Sequence, residues 1–328
     1  MTDLNRRRFL AGAAAASAVL GAPWLAHAQG GSKPLTIILT VPPGTSSDTL
    51  ARMLGDRLRA KLNRTVVVES KSGAGGLVAI QHLKAQEADG SYLMMAPNSA
   101  VSLLPLFSTK PTFDLDKDLS PVVECASAPM AFTVNAASGI STLNEYFDSV
   151  RKDAKRGSIG VPSPVSMGAL VIYQMGKQLN LPLQAVPYRG GSPLLADLLG
   201  NQIPASGSIL PDYLEHHRAG KLKVLAHASE KRSVLAPDIP TITEAGYPGY
   251  VAVTSFGLYA KAGIPTAAAA EYAGIVNEAL ASAPVIEALH KMGLVPVGGT
   301  PAEFLRKVLA DRTRWAPVIK ESGIRMDA

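Results

Sequence analysis

The chain has 328 residues, of which 47% are hydrophobic and 18% are charged. Its 32 Lys and Arg residues outnumber its 26 Asp and Glu residues, and the excess is not gathered into a basic block. This mild positive charge argues against a nucleic-acid surface and modestly favours anionic ligands. The only cysteine, Cys125, excludes an internal disulfide and a thiolate metal cluster, and its apolar neighbours predict a buried small residue.

The first residues have the pattern of an export signal. Arg6-Arg7-Arg8 precedes an apolar run from Ala11 to Leu20, and Ala26-His27-Ala28 has the form of a cleavage site. We therefore predict a cleavable signal peptide at residues 1–28 of the twin-arginine type, with an ordinary Sec signal as the alternative. Cleavage removes three Arg and one Asp, which lowers the formal net charge from +6 to +4. Both routes end outside the cytoplasm.

Short apolar runs alternate with helical patterns along the rest of the chain. Such alternation predicts βαβ units, with largely parallel sheets covered by helices. In these folds ligands bind beyond the carboxyl ends of the strands. We predict strands at residues 35–41, 65–69, 92–96, 158–161, 184–187, 203–209 and 222–228, and helices at 47–62, 76–85, 166–179, 192–199 and 211–218.

Three of the predicted strand-to-helix joints share one chemistry. They lie at residues 41–48, 160–166 and 187–192, and each places glycine or proline before hydroxyl residues at the helix start. A helix start presents free backbone N–H groups and a partial positive charge, and glycine lets a ligand approach closely. Capping alone explains each joint taken singly. The three together favour an anion site in a shared cleft.

Several motifs, in order along the chain, resemble one protein family. The sequence resembles the substrate-binding receptors of tripartite tricarboxylate transporters, the Bug family, over essentially all of the chain after the signal. The motifs are Pro42-Pro43-Gly44 with Asp48-Thr49-Leu50-Ala51-Arg52, Val66-Val67-Val68-Glu69 with Gly73-Ala74-Gly75-Gly76, Val186-Pro187-Tyr188-Arg189-Gly190 with Asp197-Leu198-Leu199-Gly200, Ala219-Gly220-Lys221-Leu222, and Pro240-Thr241-Ile242-Thr243-Glu244-Ala245-Gly246-Tyr247-Pro248-Gly249-Tyr250.

The resemblance implies a two-lobed type II periplasmic-binding-protein fold of the α/β class, with two crossing strands near residues 126–134 and 251–258. Lobe 1 would be discontinuous, at residues 29–129 and 252–328, and lobe 2 would span residues 130–251. The implied function is periplasmic capture of a small organic carboxylate by lobe closure, without chemistry, cofactor or metal. The implied partners are the membrane subunits of the transporter, and we expect a monomer.

The resemblance also implies the ligand-binding residues. The first joint would hold one carboxylate, and the clamp would be completed by the end of the third strand and by the second lobe. A carboxylate is a poor partner for an anion, so for Asp48 we favour a role in ordering the loop or water. The implied residues are Pro43, Gly44, Thr45, Ser46, Ser47, Asp48, Asn98, Ser163, Ser166, Tyr188, Gly190 and Gly191.

Four residues depart from the family pattern. Thr45 stands where glycine is common, and Ser255 stands where tryptophan is frequent. Pro204 and Ser208 stand where acids are common. With those acids absent the second lobe is less suited to an ammonium group, so we expect a plain carboxylate rather than an amino acid.

Two other functions stay open. One is an enzyme on the same architecture, which the residues favour less. Ser149–Lys152 has the S-x-x-K spacing of penicillin-binding enzymes without their other motifs. Gly73–Gly76 is a weak match to a dinucleotide loop, and the histidines lack metal-ligand spacing. The other is a receptor that reports its ligand to a signalling partner.

Overall fold

The computed structural model describes residues 33–325, so the predicted signal peptide at residues 1–28 lies outside the described residues. The strands are β1 (Leu35–Leu39), β2 (Val66–Ser70), β3 (Tyr92–Pro97), β4 (Leu119–Asn135), β5 (Ser158–Val161), β6 (Gln184–Pro187), β7 (Ala205–Ile209), β8 (Leu222–His227), β9 (Val253–Lys261) and β10 (Val295–Pro296). The helices are α1 (Ser46–Leu62), α2 (Leu77–Lys84), α3 (Leu115–Asp118), α4 (Leu143–Lys152), α5 (Met167–Gln178), α6 (Gly191–Leu199), α7 (Pro211–Arg218), α8 (Thr266–Leu280), α9 (Ala283–Lys291) and α10 (Pro301–Ser322).

Two sets of parallel strands meet on the long strand β4. In the first half of the sheet β1 pairs in parallel with β2 and β3, and in the second half β5 pairs in parallel with β6 and β7. β4 pairs antiparallel with β9 as far as Pro129, and with β7 and β8 from Met130 onward. The predicted α/β class is confirmed, whereas the lobe boundaries stay a prediction.

Most predicted elements agree with the structure to within two residues, and the differences have local causes. β7 begins at Ala205 rather than at residue 203, because Pro204 has no N–H to donate to a strand ladder. α2 begins at Leu77 because Gly76 has φ +107°, which is outside the helical range. Five helices, α3, α4 and α8–α10, have no predicted bounds from the sequence.

On one side of the first half of the sheet, the hydrophobic core follows the regular spacing of buried residues in β1 and α1. Alternate residues of β1 face α1, and every fourth residue of α1 faces β1, as strand and helix periods require. Each fully buried leucine contributes about 1.5–3 kcal/mol relative to leaving it exposed. Cys125 is fully buried in the same cluster, as predicted. The contacting core residues are Leu35, Ile37, Leu39, Leu50, Leu54 and Leu58.

In the second half, α5 starts directly against β7. A Cβ added to Gly168, the second residue of α5, would lie 2.0 Å from the carbonyl oxygen of Gly207 in β7. A Cβ on Gly207 would meet the side chains of Ile172 and Met130 at 2.9 and 3.0 Å. Paired glycines therefore set the distance between this helix start and the sheet. Within residues 33–325 no helix combines the length and apolar character that a membrane span requires.

We expect Gly168→Ala to lower the free energy of unfolding by about 1–3 kcal/mol or more, because the new methyl group overlaps a backbone carbonyl that side-chain rotation cannot move. Urea denaturation measures the change. The matched control is Gly274→Ala in α8, where a new Cβ meets nothing within 4 Å. The control should raise stability by about 0.5–1 kcal/mol, since alanine favours a helix interior. Equal effects at the two positions would contradict the close approach.

Candidate ligand-binding site

The first joint, residues 41–48, is held in shape by its own side chains. Gly44 has φ +82°, a conformation that favours glycine. Thr45 is the N-cap of α1, and its Oγ1 accepts a hydrogen bond from Asp48 N at 3.3 Å and donates to Pro42 O at 3.2 Å. The Thr45 hydroxyl is therefore already used in building the loop.

Asp48 turns back onto the same loop. Its Oδ2 accepts a hydrogen bond from Gly44 N at 2.9 Å, and its Oδ1 lies 2.8 Å from Arg52 Nε. An acid in the first turn of a helix is also stabilised by the helix dipole. These contacts are of the loop-ordering kind that the sequence analysis favours for Asp48.

Ser46 and Ser47 leave hydrogen-bonding groups unused. Their backbone N–H groups, at the first two positions of α1, have no acceptor among the described residues. The Ser47 side chain is 3% exposed, and its Oγ has no hydrogen-bond partner within residues 33–325. A buried hydroxyl without a partner is costly, so this atom needs an explanation.

In the second joint the serine hydroxyl groups form hydrogen bonds that cap the start of α5. Ser166 Oγ accepts from Ala169 N at 3.3 Å and donates to Ser163 O at 2.7 Å. Ser163 Oγ accepts from Val165 N at 3.3 Å. Both serines, predicted as ligand residues, thus have protein partners that fix the start of α5.

The third joint is tied to the second by backbone hydrogen bonds. Tyr188 N donates to Val161 O at 2.8 Å, and Gly190 N donates to Pro162 O at 3.0 Å. The Tyr188 hydroxyl donates to Asp197 Oδ2 at 2.8 Å. Burial and this contact raise the pKa of Tyr188. Its phenol is therefore engaged with α6, so neither the Tyr188 hydroxyl nor the Gly190 N–H is free for a ligand.

The structure brings the joints of the two halves close together. A Cβ added to Gly190 would lie 3.7 Å from Pro42 Cδ, so the third joint lies next to the first. A Cβ on Gly75 would lie 3.1 Å from Val165 Cγ2 and 3.5 Å from Ser163 Oγ. The first, second and third joints therefore lie close together, and a ligand cleft shared by them stays a prediction.

The loop Gly73–Gly76 belongs to this region, and the sequence analysis did not include it among the site residues. Gly73, Ala74, Gly75 and Gly76 all have positive φ, from 46° to 147°. Four consecutive residues of this kind need a glycine-rich sequence. The Gly-Ala-Gly-Gly motif is the signal that could have placed this loop in the site.

Asn98 directly follows β3, as predicted, and its side chain is already bound to protein. Its side chain is fully buried, its Oδ1 accepts from Ser255 N at 3.1 Å, and its Nδ2 donates to Asp311. Both ends of the amide are thus bound to protein, on β9 and α10. This geometry gives Asn98 a structural role that ties the end of β3 to a crossing strand and to the last long helix.

A separate cavity of about 330 Å³ lies away from these joints, and none of the predicted ligand residues lines it. It opens between the start of α4, α7 and the segment after β8, and its polar lining includes Asn144, His217, Lys223, Asp238 and Glu244. His217 Nδ1 accepts from Val224 N at 3.4 Å and its Nε2 lies 3.4 Å from Asp238 Oδ2. Within residues 33–325 no three metal-ligating side chains converge.

Comparison with known sequences identifies the family. The sequence model described as the tripartite tricarboxylate transporter family receptor matches residues 50–324. The chain belongs to this family. Protein BugT of Bordetella pertussis is 30% identical over 330 residues, which cover 98% of this chain and all of BugT. A UPF0065 protein of Cupriavidus necator is 32% identical over 266 residues, 79% of this chain and 80% of its own.

Solved structures of similar receptors show the same fold. A periplasmic transporter protein is 29% identical, with a TM-score of 0.83 over 90% of this chain and 99% of its own. An R. palustris protein solved with adipate is 27% identical, with a TM-score of 0.85 over 90% and 98%. Periplasmic binding protein BugD is 25% identical, with a TM-score of 0.82 over 90% and 99%. The periplasmic-binding-protein fold implied by the resemblance is confirmed.

We expect Ser166→Ala to destabilise the receptor by about 1 kcal/mol, because it removes the side-chain cap of α5. Urea denaturation of the ligand-free protein measures this cost. Ser166→Thr keeps a hydroxyl that can cap and should recover most of the stability. An unchanged unfolding midpoint for Ser166→Ala would contradict the capping role, whereas a change in ligand affinity alone would favour the ligand contact predicted from the sequence.

Proposed function

We propose that this receptor captures a small organic carboxylate in the periplasm, between the first joint and the second and third joints, and delivers it unchanged to the membrane subunits of its transporter. The observation that carries the proposal is the buried, unpartnered hydroxyl of Ser47 beside the free N–H groups of Ser46 and Ser47. These donors stand at the positive end of the 17-residue helix α1. A carboxylate oxygen is the acceptor that such donors lack.

The magnitudes favour several directed hydrogen bonds over charge alone. A helix terminus contributes about 0.3–1 kcal/mol to binding an exposed anion, and up to about 2 kcal/mol when partly buried. A hydrogen bond to a charged group adds about 1.5–3 kcal/mol. Closure of the space between Pro42 and Gly190, which lie near each other, would exclude water from the bound carboxylate and strengthen these bonds. The adipate held by the related R. palustris protein supports a carboxylate ligand.

The residues that could suggest an enzyme have structural explanations. Ser229 Oγ lies 2.7 Å from His227 Nδ1, the distance of a nucleophile and its base. However, His227 Nε2 accepts from Ser233 N at 3.3 Å, so neutral His227 carries its proton on Nδ1 and donates to Ser229. Ser229 in turn donates to Lys231 O at 2.9 Å. In this arrangement His227 cannot accept the proton of Ser229, as a catalytic base would. Burial also lowers the pKa of His227.

The partner to which the receptor delivers its ligand is also part of the proposal. Family membership supports the membrane subunits of a tripartite transporter as the partner. We expect a monomeric receptor, whose ligand-bound closed form would present one surface to those subunits. A signalling partner would require the same closed state, because a ligand shifts an equilibrium only by binding one state more tightly. We favour transport, since the family is one of transporter receptors.

We expect a thermal-shift screen of organic acids to identify ligands that raise the melting temperature, because a ligand that binds only the native state stabilises it. Ser47→Ala should weaken binding of each such acid by about tenfold or more, as loss of one hydrogen bond to a charged group predicts. Calorimetric titration measures the affinity, and the acid recovered from the complex should be chemically unchanged.

Two controls make this test specific. The ligand-free Ser47→Ala protein should be as stable as the wild type or more stable, because the change removes an unpartnered buried hydroxyl. Thr49→Ala removes an exposed hydroxyl two residues along the same helix and should leave the affinity unchanged. An unaltered affinity for Ser47→Ala, or an acid converted to product, would refute the proposal.

Export is proposed to follow the twin-arginine route. Replacing Arg6 and Arg7 by Lys should stop export of the chain, because that route requires the arginine pair. Fractionation of expressing cells shows where the protein accumulates and whether it is cleaved. Export that survives both the double substitution and loss of the twin-arginine machinery would assign the Sec route instead.

A further inference from the structure

An acidic group lies beside the third joint without a cationic partner. Asp212 is in the first turn of α7, and its Oδ2 accepts a hydrogen bond from Ser208 Oγ at 3.0 Å. Among the described residues Ser208 is the one hydrogen-bond partner of this carboxylate, and no Lys, Arg or His forms an ion pair with it. Arg189, in the third joint itself, is exposed and makes no ion pair with Asp212.

The environment of this carboxyl group disfavours its charge. Asp212 has intermediate exposure, so solvent still reaches the residue, but protein atoms crowd its carboxyl group. This burial raises the pKa of Asp212 to about 6, although the hydrogen bond from Ser208 acts in the opposite direction. A carboxylate taken from water without a cation is costly, and perturbed groups of this kind are concentrated at functional sites.

The position of Asp212 connects it to the region where the joints meet. Its Oδ2 lies 3.2 Å from the place where a Cβ on Gly191 would stand. The adjacent residue, Gly190, is the one that approaches Pro42 of the first joint. Since consecutive Cα atoms are about 3.8 Å apart, Asp212 stands within about one residue of that contact. Gly191 has no side chain to separate the carboxylate from a ligand.

We propose that Asp212 sets the ligand specificity of this receptor by binding an ammonium group on the captured carboxylate. The ligand's carboxylate would be held at the start of α1, and its ammonium group would face Asp212 across the cleft. The inference rests on the proposed function and narrows the ligand class to amino acids. A second ligand carboxylate at this position would be repelled by Asp212.

This inference revises the expectation drawn from Ser208. From the sequence alone, Ser208 indicates that β7 lacks an acid at that position, which favours a plain carboxylate. In the structure the Ser208 hydroxyl donates to Asp212, so an acid from α7 stands next to the strand position where the sequence lacks one. The second half of the cleft thus keeps a carboxylate although β7 does not supply it.

A purely structural role is the competing explanation. α6 begins beside Asp212 and has no side-chain cap, so the partial positive charge of its start could stabilise the carboxylate without any ligand. In that case Asp212→Asn would lower the stability of the ligand-free protein and leave ligand selectivity unchanged. The ligand role requires the selectivity to change.

The test uses pairs of acids that differ only in an ammonium group: aspartate with succinate, glutamate with glutarate, and phenylalanine with 3-phenylpropionate. Calorimetric titration is done on the wild type, on Asp212→Asn and on the control Glu215→Gln, which removes a charge from an exposed position of the same helix, α7. The wild type and Glu215→Gln should bind the amino member of at least one pair about tenfold or more tightly than its partner, as a charge-assisted hydrogen bond predicts. Asp212→Asn should lose that preference.

The outcomes separate this inference from the proposed function. Plain acids that bind as tightly as their amino counterparts, or an Asp212→Asn variant that keeps the preference, would overturn the role of Asp212. If binding of those acids is still weakened by Ser47→Ala, the proposed function survives that result. Absence of binding by all six acids would count against the inference, and the wider organic-acid screen then decides the proposed function separately.

Discussion

Parallel pairing within each half of the sheet is the constraint on which the candidate site depends. Because β1 and its neighbours run in one direction, the loops that follow them leave from one edge, and the same holds for β5 and its neighbours. β4 is shared by both halves and exchanges partners between Pro129 and Met130. Pro42 lies close to Gly190, which brings the two loop-bearing edges near each other. A ligand between them can therefore contact helix starts from both halves.

The hydroxyl residues at those helix starts divide into two groups. Thr45, Ser163 and Ser166 bind their own loops, which fixes the backbone around each helix start. Ser47 has no such partner and remains available, as do two N–H groups at the start of α1. The two groups have different effects. A hydroxyl that caps a helix makes the loop more rigid, whereas a hydroxyl without a protein partner can increase the affinity for a ligand. Rigid donors lose less entropy when a ligand binds.

The sequence predicts the elements and the joints well because their signals are local. Pro42, Gly44 and the serines after them end a strand and start a helix whatever lies nearby. Asn98 shows what such reasoning cannot supply, because its partners Ser255 and Asp311 are 157 and 213 residues away along the chain. Its polarity and its place after a strand suggest a ligand, whereas only packing reveals that the amide is used within the protein.

Asp212 shows the opposite failure, in which a binding group is overlooked. A comparison made position by position finds serine at Ser208 and concludes that a charge is absent. Three residues later the chain begins α7, and Asp212, the second residue of that helix, has its carboxylate 3.0 Å from the Ser208 hydroxyl. A ligand responds to the position of a charged group in the cleft, and the strand or helix that carries the group does not matter. Specificity in this fold is therefore a property of neighbouring strand ends and helix starts together.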